Sequence, residues 1–83
     1  MRLKHDPEAD AVYITLRDKP YSWGQDLDTD RRIDFGADRL PIGIELLSVS
    51  YGVNVQDLPE QEVVAALLRQ HGIRVLTPAE IAR

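Results

Sequence analysis

The segment "HDPEADAVYI" (His5–Ile14) sets one histidine and three carboxylates, Asp6, Glu8 and Asp10, in and before a strand-like run. These are the residue types of divalent-metal sites and of general acid–base pairs. Their spacing matches no zinc pattern, and a tight turn points such side chains in several directions. Asp6-Pro7 has a simpler account. Proline pre-sets φ at the second position of a turn, and an aspartate before it bonds the turn's amides. The segment reads as strand end, proline turn and new strand, with its carboxylates serving turn and solvent.

"DLDTDRRID" places Asp26, Asp28 and Asp30 as at positions one, three and five of a calcium loop. Such a loop needs glycine at position six and a bidentate glutamate at position twelve. This chain has Arg31 and Ala37 there. The spacing instead predicts a solvated strand face with a carboxylate on every second residue, Asp26, Asp28, Asp30 and, further on, Asp34. That face suits the docking of a basic protein partner.

Glu45 lies in an otherwise apolar stretch, opposite Ile42 and Ile44 and beside Gly43. A carboxylate on a partly buried sheet face needs a partner, so an ion pair or an interface contact is expected. The alternative is a small metal-assisted or acid–base enzyme using Glu45 with Asp6, Asp10 or His5. His71 falls in a last helical turn, where it complements the helix's negative end. Ser48 and Ser50 lack a nucleophile-elbow setting, and neither a GxGxxG nor a GxxxxGK[ST] loop occurs. No catalytic residue, metal or cofactor is assigned.

The elements that must position these groups follow from periodicity. "RLKH" can pair as a first strand, and "AVYITLR" alternates, with Val12, Ile14 and Leu16 on one face and Tyr13, Thr15 and Arg17 on the other. Such alternation, rich in β-branched and aromatic residues, marks a half-buried strand. Trp23, Leu27, Ile33 and Phe35 predict strands over 22–28 and 31–36. "LPIGIELLS" predicts another, with Leu40, Ile42, Ile44 and Leu46 on one face, Pro41 marking its start, and Gly43 leaving room for close approach of a side chain or backbone.

After "SVSYGVNV" the period becomes helical. Asp57-Leu58-Pro59-Glu60 has the capping-box pattern, Val63, Val64, Leu67, Leu68 and His71 recur at helical spacing, and Gly72 is a natural stop. "IRVL" suggests a short extra strand, and Thr77-Pro78-Ala79-Glu80 repeats the capping box and predicts a final helical turn or two. The result is a single α+β domain over 1–83. A small antiparallel sheet of four or five strands (1–50) precedes one main helix and a short C-terminal helix (51–83).

With 83 residues, such a chain buries only about 60–65% of its unfolded surface. That is thin support for a deep cavity, and it favours association, a homodimer being expected. Trp23, Tyr13, Tyr21 and Tyr51 are expected to complete the core or a dimer interface. A net charge of −4 and a pI near 5.0 leave no broad basic field for nucleic acid. The local basic spots, Arg31-Arg32, Arg69, Arg74 and Arg83, do not cluster. With no cysteine, disulfides and thiol chemistry are excluded. No apolar run approaches membrane-spanning length, so a cytoplasmic location is expected.

"DPEADAVYITL" followed by "RRIDFGADRLPIGIELLSVS" resembles the DUF2283 family of small bacterial proteins, over roughly residues 3–50. The matching positions are Asp6, Asp10 and Tyr13, then Gly43, Ile44 and Glu45. Arg39-Leu40-Pro41 stands near the place of the family's usual hairpin glycine, so that turn is expected to differ. The resemblance implies no activity. It implies an antitoxin-like or accessory role beside a partner protein.

Overall fold

The computed structural model describes residues 1–82; the basic position Arg83 lies outside them. Five strands form one antiparallel sheet: β1 (Arg2–Asp6), β2 (Ala11–Thr15), β3 (Trp23–Asp26), β4 (Arg31–Phe35) and β5 (Pro41–Leu47), in the order β1-β2-β5-β4-β3. A 3₁₀ turn (Val49–Tyr51), helix α1 (Gln61–Gln70) and the short α2 (Pro78–Ile81) follow. This is the expected α+β architecture.

The proline turn forms as the sequence predicts. Asp6 Oδ1 accepts from Ala9 N at 3.2 Å, and Asp10 N donates to Pro7 O at 3.3 Å. The connection after β2 carries the chain to the far edge of the sheet, and β3, β4 and β5 then return as a meander. β5 thereby pairs with both β2 and β4, which explains its apolar character. Val12, Ile14, Ile44 and Leu46 are sealed on one face beneath Val64, Ala65 and Leu68 of α1 and beneath Val53, Val55, Leu58 and Ile73 of the flanking segments. Burying each such side chain contributes about 1.5–3 kcal/mol.

Several expectations change. β3 and β4 are shorter than 22–28 and 31–36, and the residues between them form a turn. Leu40 is not on the core face: it is 54% exposed, in the turn before β5. In that same turn Arg39 takes the left-handed conformation (φ 67°) that a glycine would take more easily.

The 57–60 box does not cap α1. Asp57 is itself left-handed (φ 66°), whereas an N-cap needs extended backbone, and the helix starts after Glu60 without a side-chain cap. Leu58, within this bend, is buried in the core. The 77–80 box does form: Thr77 Oγ1 accepts from Glu80 N, and Glu80 Oε1 accepts from Thr77 N at 2.9 Å. Val63 is exposed, and α1 turns Val64, Ala65 and Leu68 to the sheet. In place of a strand, "IRVL" supplies one parallel bridge, Val75 to Val53. No helix of the described residues is long and apolar enough to cross a membrane.

Candidate functional site

The sheet face away from α1 is built by register. Lys4, Tyr13, Glu45, Arg32 and Asp26 lie in one row across β1, β2, β5, β4 and β3; Arg2, Thr15, Gly43, Asp34 and Gly24 form the next. Two glycines shape this surface. A Cβ on Gly43 would lie 2.5 Å from Tyr13 Cζ and 2.9 Å from Cε2, so the absent side chain is what lets the Tyr13 ring lie across β5. A Cβ on Gly24 would lie 2.6 Å from Arg32 Cζ, so the guanidinium lies across β3 in the same way.

These two flat side chains meet at Asp34. The Tyr13 hydroxyl donates to Asp34 Oδ2 at 2.8 Å, and Arg32 Nε donates to Asp34 Oδ1 at 3.3 Å. Arg32 continues the network to Asp26 Oδ1 at 3.1 Å and to the Tyr21 hydroxyl at 3.0 Å. Partial burial pushes the Tyr13 phenol up to about 12, helped by the bond to Asp34 and by the charges of Asp34 and Glu45. A phenol so held stays protonated at neutral pH and acts as a hydrogen-bond donor.

Glu45 sits between Tyr13 and Arg32 in this row but is exposed, and its carboxylate forms no ion pair with the described residues. The expected ion pair is therefore absent there. Within the strands, a partner for Arg32 is supplied by Asp26 and Asp34 instead.

The acidic strand face is corrected as well. Only Asp26 and Asp34 are on strands, and both bond Arg32. Asp28 lies in the β3–β4 turn, accepting from Asp30 N at 3.0 Å and Arg31 Nε at 2.9 Å. Burial opposes its ionisation, yet the Arg31 bond and the Asp30 amide hold it below the usual carboxylate range. Asp30 is a turn residue whose carbonyl accepts from Leu47 N. Alternation fails because the chain reverses between Leu27 and Arg31. What remains is a depression at that end of the sheet, lined by Asp26, Asp28, Asp30 and Glu45 with Arg31 and Arg32.

Asp10 has a structural task. Left-handed itself (φ 53°), it accepts from Ser50 N at 2.9 Å and Ser50 Oγ at 2.7 Å, clamping the proline turn to the 3₁₀ turn after β5. His5 shares a sheet face with Val12 and Leu46, opposite to Glu45. Asp6 is on the Glu45 face but two strands away and in another row. The groups required for Glu45-based acid–base chemistry thus do not converge. No cluster of three or more ligating side chains occurs among the described residues. His71 caps α1, with Nδ1 3.0 Å from Leu67 O. Of the aromatics, Trp23 stacks on Phe35 (centroids 4.2 Å apart), Tyr13 joins the polar face, and Tyr21 and Tyr51 are exposed.

Arg32, Gly24 and Tyr21 are the members of the network that the sequence marks least. Arg32 reads only as half of a basic pair. Its parity with Asp34 along β4 was the available signal, but its partners on β3 and in the preceding loop depend on strand order.

A family model described as a protein of unknown function (DUF2283) matches residues 2–50. The chain belongs to that family. The match runs from β1 to the serine that closes the Asp10 clamp, so it covers the entire sheet and leaves α1 and α2 outside. No curated protein and no solved structure matches the chain.

Proposed function

We propose that this chain is a non-enzymatic protein-interaction module, a bacterial, cytoplasmic homodimer that holds a basic segment of a partner protein against its open sheet face. An antitoxin-like or accessory role is the biological form of that activity. The observation that carries it is the gathering of three family-motif residues, Tyr13, Gly43 and Glu45, on the face that α1 leaves uncovered. Flat packing of Tyr13 and Arg32 over glycines gives a broad surface, suited to contact over an area. Glu45 offers an uncommitted carboxylate beside the acidic depression, and the whole chain carries a charge of −4. Charge complementarity of this kind steers a basic partner and fixes its register.

The test is quantitative affinity capture from the source cells with the wild-type chain and Glu45→Lys in parallel, at low and moderate salt. A stoichiometric basic protein retained by the wild type and lost by Glu45→Lys is expected. Equal retention by both, or recovery of no protein besides the chain itself, overturns the assignment.

A further inference from the structure

The two edges of the sheet differ in how they suit a second copy of the chain. Leu27 N donates to Arg31 O at 2.8 Å, and the β3–β4 register continues that pairing through Gln25–Ile33 and Trp23–Phe35. In an antiparallel ladder the bonded positions alternate. The amides and carbonyls of Gly24 and Asp26 therefore point away from β4, and no described residue bonds them. At the other edge, Leu16 N donates to Ile42 O at 2.8 Å, which assigns the even residues of β2 to β5 and its odd residues to β1. By the β1–β2 register, Leu3 and His5 then face outward.

We propose that a second copy of this chain pairs antiparallel along β3, about a two-fold axis at Gln25, joining the two sheets into one of ten strands. The assignment deepens the interaction-module reading by giving its dimer a surface, and it leaves the open face available for the basic partner. Three features of the edge agree with this register. The outward groups of Gly24 meet those of Asp26 of the second copy, and the reverse, making four hydrogen bonds. On the open face, Asp26 of the second copy arrives beside Gly24, over which Arg32 lies. Each Arg32 then faces two Asp26 carboxylates. On the α1 side, Trp23, 38% exposed in a single chain, meets Leu27 of the second copy, apolar against apolar. Gln25 faces its own copy without charge.

β1 offers the opposite case. Pairing its outward residues about Lys4 sets the two Lys4 ammonium groups directly across from each other at the axis, and opposed like charges disfavour a strand pair. The same register sets Arg2 across from Asp6 of the second copy, but Arg2 is already held by Asp18 of its own chain. Charged residues, lysine above all, are how sheet edges are kept from pairing. Arg2, Lys4, His5 and Asp6 make β1 such an edge.

The chain has no cysteine, so single-cysteine variants report the register. Gln25 of each copy occupies a non-hydrogen-bonded pair, with Cα atoms about 4.5 Å apart, within the range a disulfide spans. Oxidised Gln25→Cys is expected to form a covalent dimer and Lys4→Cys to stay monomeric. Sedimentation equilibrium of the wild type across the micromolar range is expected to rise to twice the monomer mass. Asp26→Lys, which sets a lysine against both Arg32 side chains, is expected to remain at monomer mass with an unchanged circular-dichroism spectrum. A wild-type chain that sediments as a monomer throughout overturns the proposal, and so does a dimer that crosslinks through Lys4→Cys but not Gln25→Cys. A monomer throughout also removes the homodimer from the reading above, whereas a Lys4→Cys crosslink removes only the β3 pairing. The Glu45→Lys capture, which concerns the open face, is read independently of both.

Discussion

The two faces of β5 are made by alternate residues of one strand, and they are specified in different ways. On one, Ile44 and Leu46 are sealed beneath α1 and its flanking segments, and Ile42 is buried further along the same face. On the other, Gly43 and Glu45 belong to a surface where Tyr13, Asp34, Arg32 and Asp26 bond one another side to side. The covered face requires apolar side chains of about the right volume, a demand many sequences meet. The open face requires particular atoms at particular places: a hydroxyl to reach Asp34, a missing Cβ to let it pass. Of the positions that carry the family resemblance, Tyr13 and Gly43 meet the second demand, and Ile44 meets the first.

The largest effect should come from the covered face. Ile44→Ala removes a fully buried side chain beside Ile14 and Leu46 and is expected to cost about 2–5 kcal/mol. For a domain of this size each kcal/mol lowers Tm by roughly 4–8 °C, which calorimetry reads. A loss under about 1 kcal/mol would mean that this face is not the closed core described.

Gly43→Ala comes next and tests whether the open face is equally demanding. One methyl group displaces Tyr13 and breaks its bond to Asp34, at an expected cost of about 1–3 kcal/mol. Pairing it with Tyr13→Ala should cost less than the sum of the two single changes, because the clash disappears with the ring. Additive costs in urea unfolding would show that Gly43 matters for some reason other than Tyr13.

The smallest effect concerns the Tyr13 proton and leaves both faces folded. Tyr13 should titrate near pH 12 by ultraviolet absorbance, against about 10 for a free phenol. A raised phenol pKa means that the folded chain holds a proton the unfolded chain releases. Its contribution to stability is therefore full below about pH 10 and is lost as pH rises through the folded value. Glu45→Gln should change stability by less than about 0.5 kcal/mol, since the side chain is exposed, yet lower the Tyr13 midpoint by removing one of the charges that raise it. An unmoved midpoint would disconnect Glu45 from the network.

Much of this organisation is written in local pattern. Alternation in "AVYITLR" locates Val12 and Ile14 in the core and Tyr13 opposite, because side chains on a strand point to alternate sides. Asp6-Pro7 gives the first turn, and Thr77-Pro78-Ala79-Glu80 gives the cap of α2, since both depend on residues within a few positions of one another. The same logic misleads at Asp57, whose backbone is left-handed beside the buried Leu58, where an N-cap would need it extended. It also misleads at Asp26–Asp34, where the parity of carboxylates is continuous in sequence but interrupted in space by a reversal.

By itself, then, the sequence determined the α+β class, the proline turn, the inward set of β5 and the room left at Gly43, all of which are set by period and by backbone preference. Tertiary structure alone decided what fills that room. Strand order 1-2-5-4-3 inserts β5 between β2 and β4, and only that insertion brings Tyr13 over Gly43 to Asp34, 21 residues away. It also ties Asp10 to Ser50, 40 residues on. Contacts across such separations follow from which strands become neighbours, and that choice is made by burying the shared apolar face, not by the residues that afterwards meet on the open one.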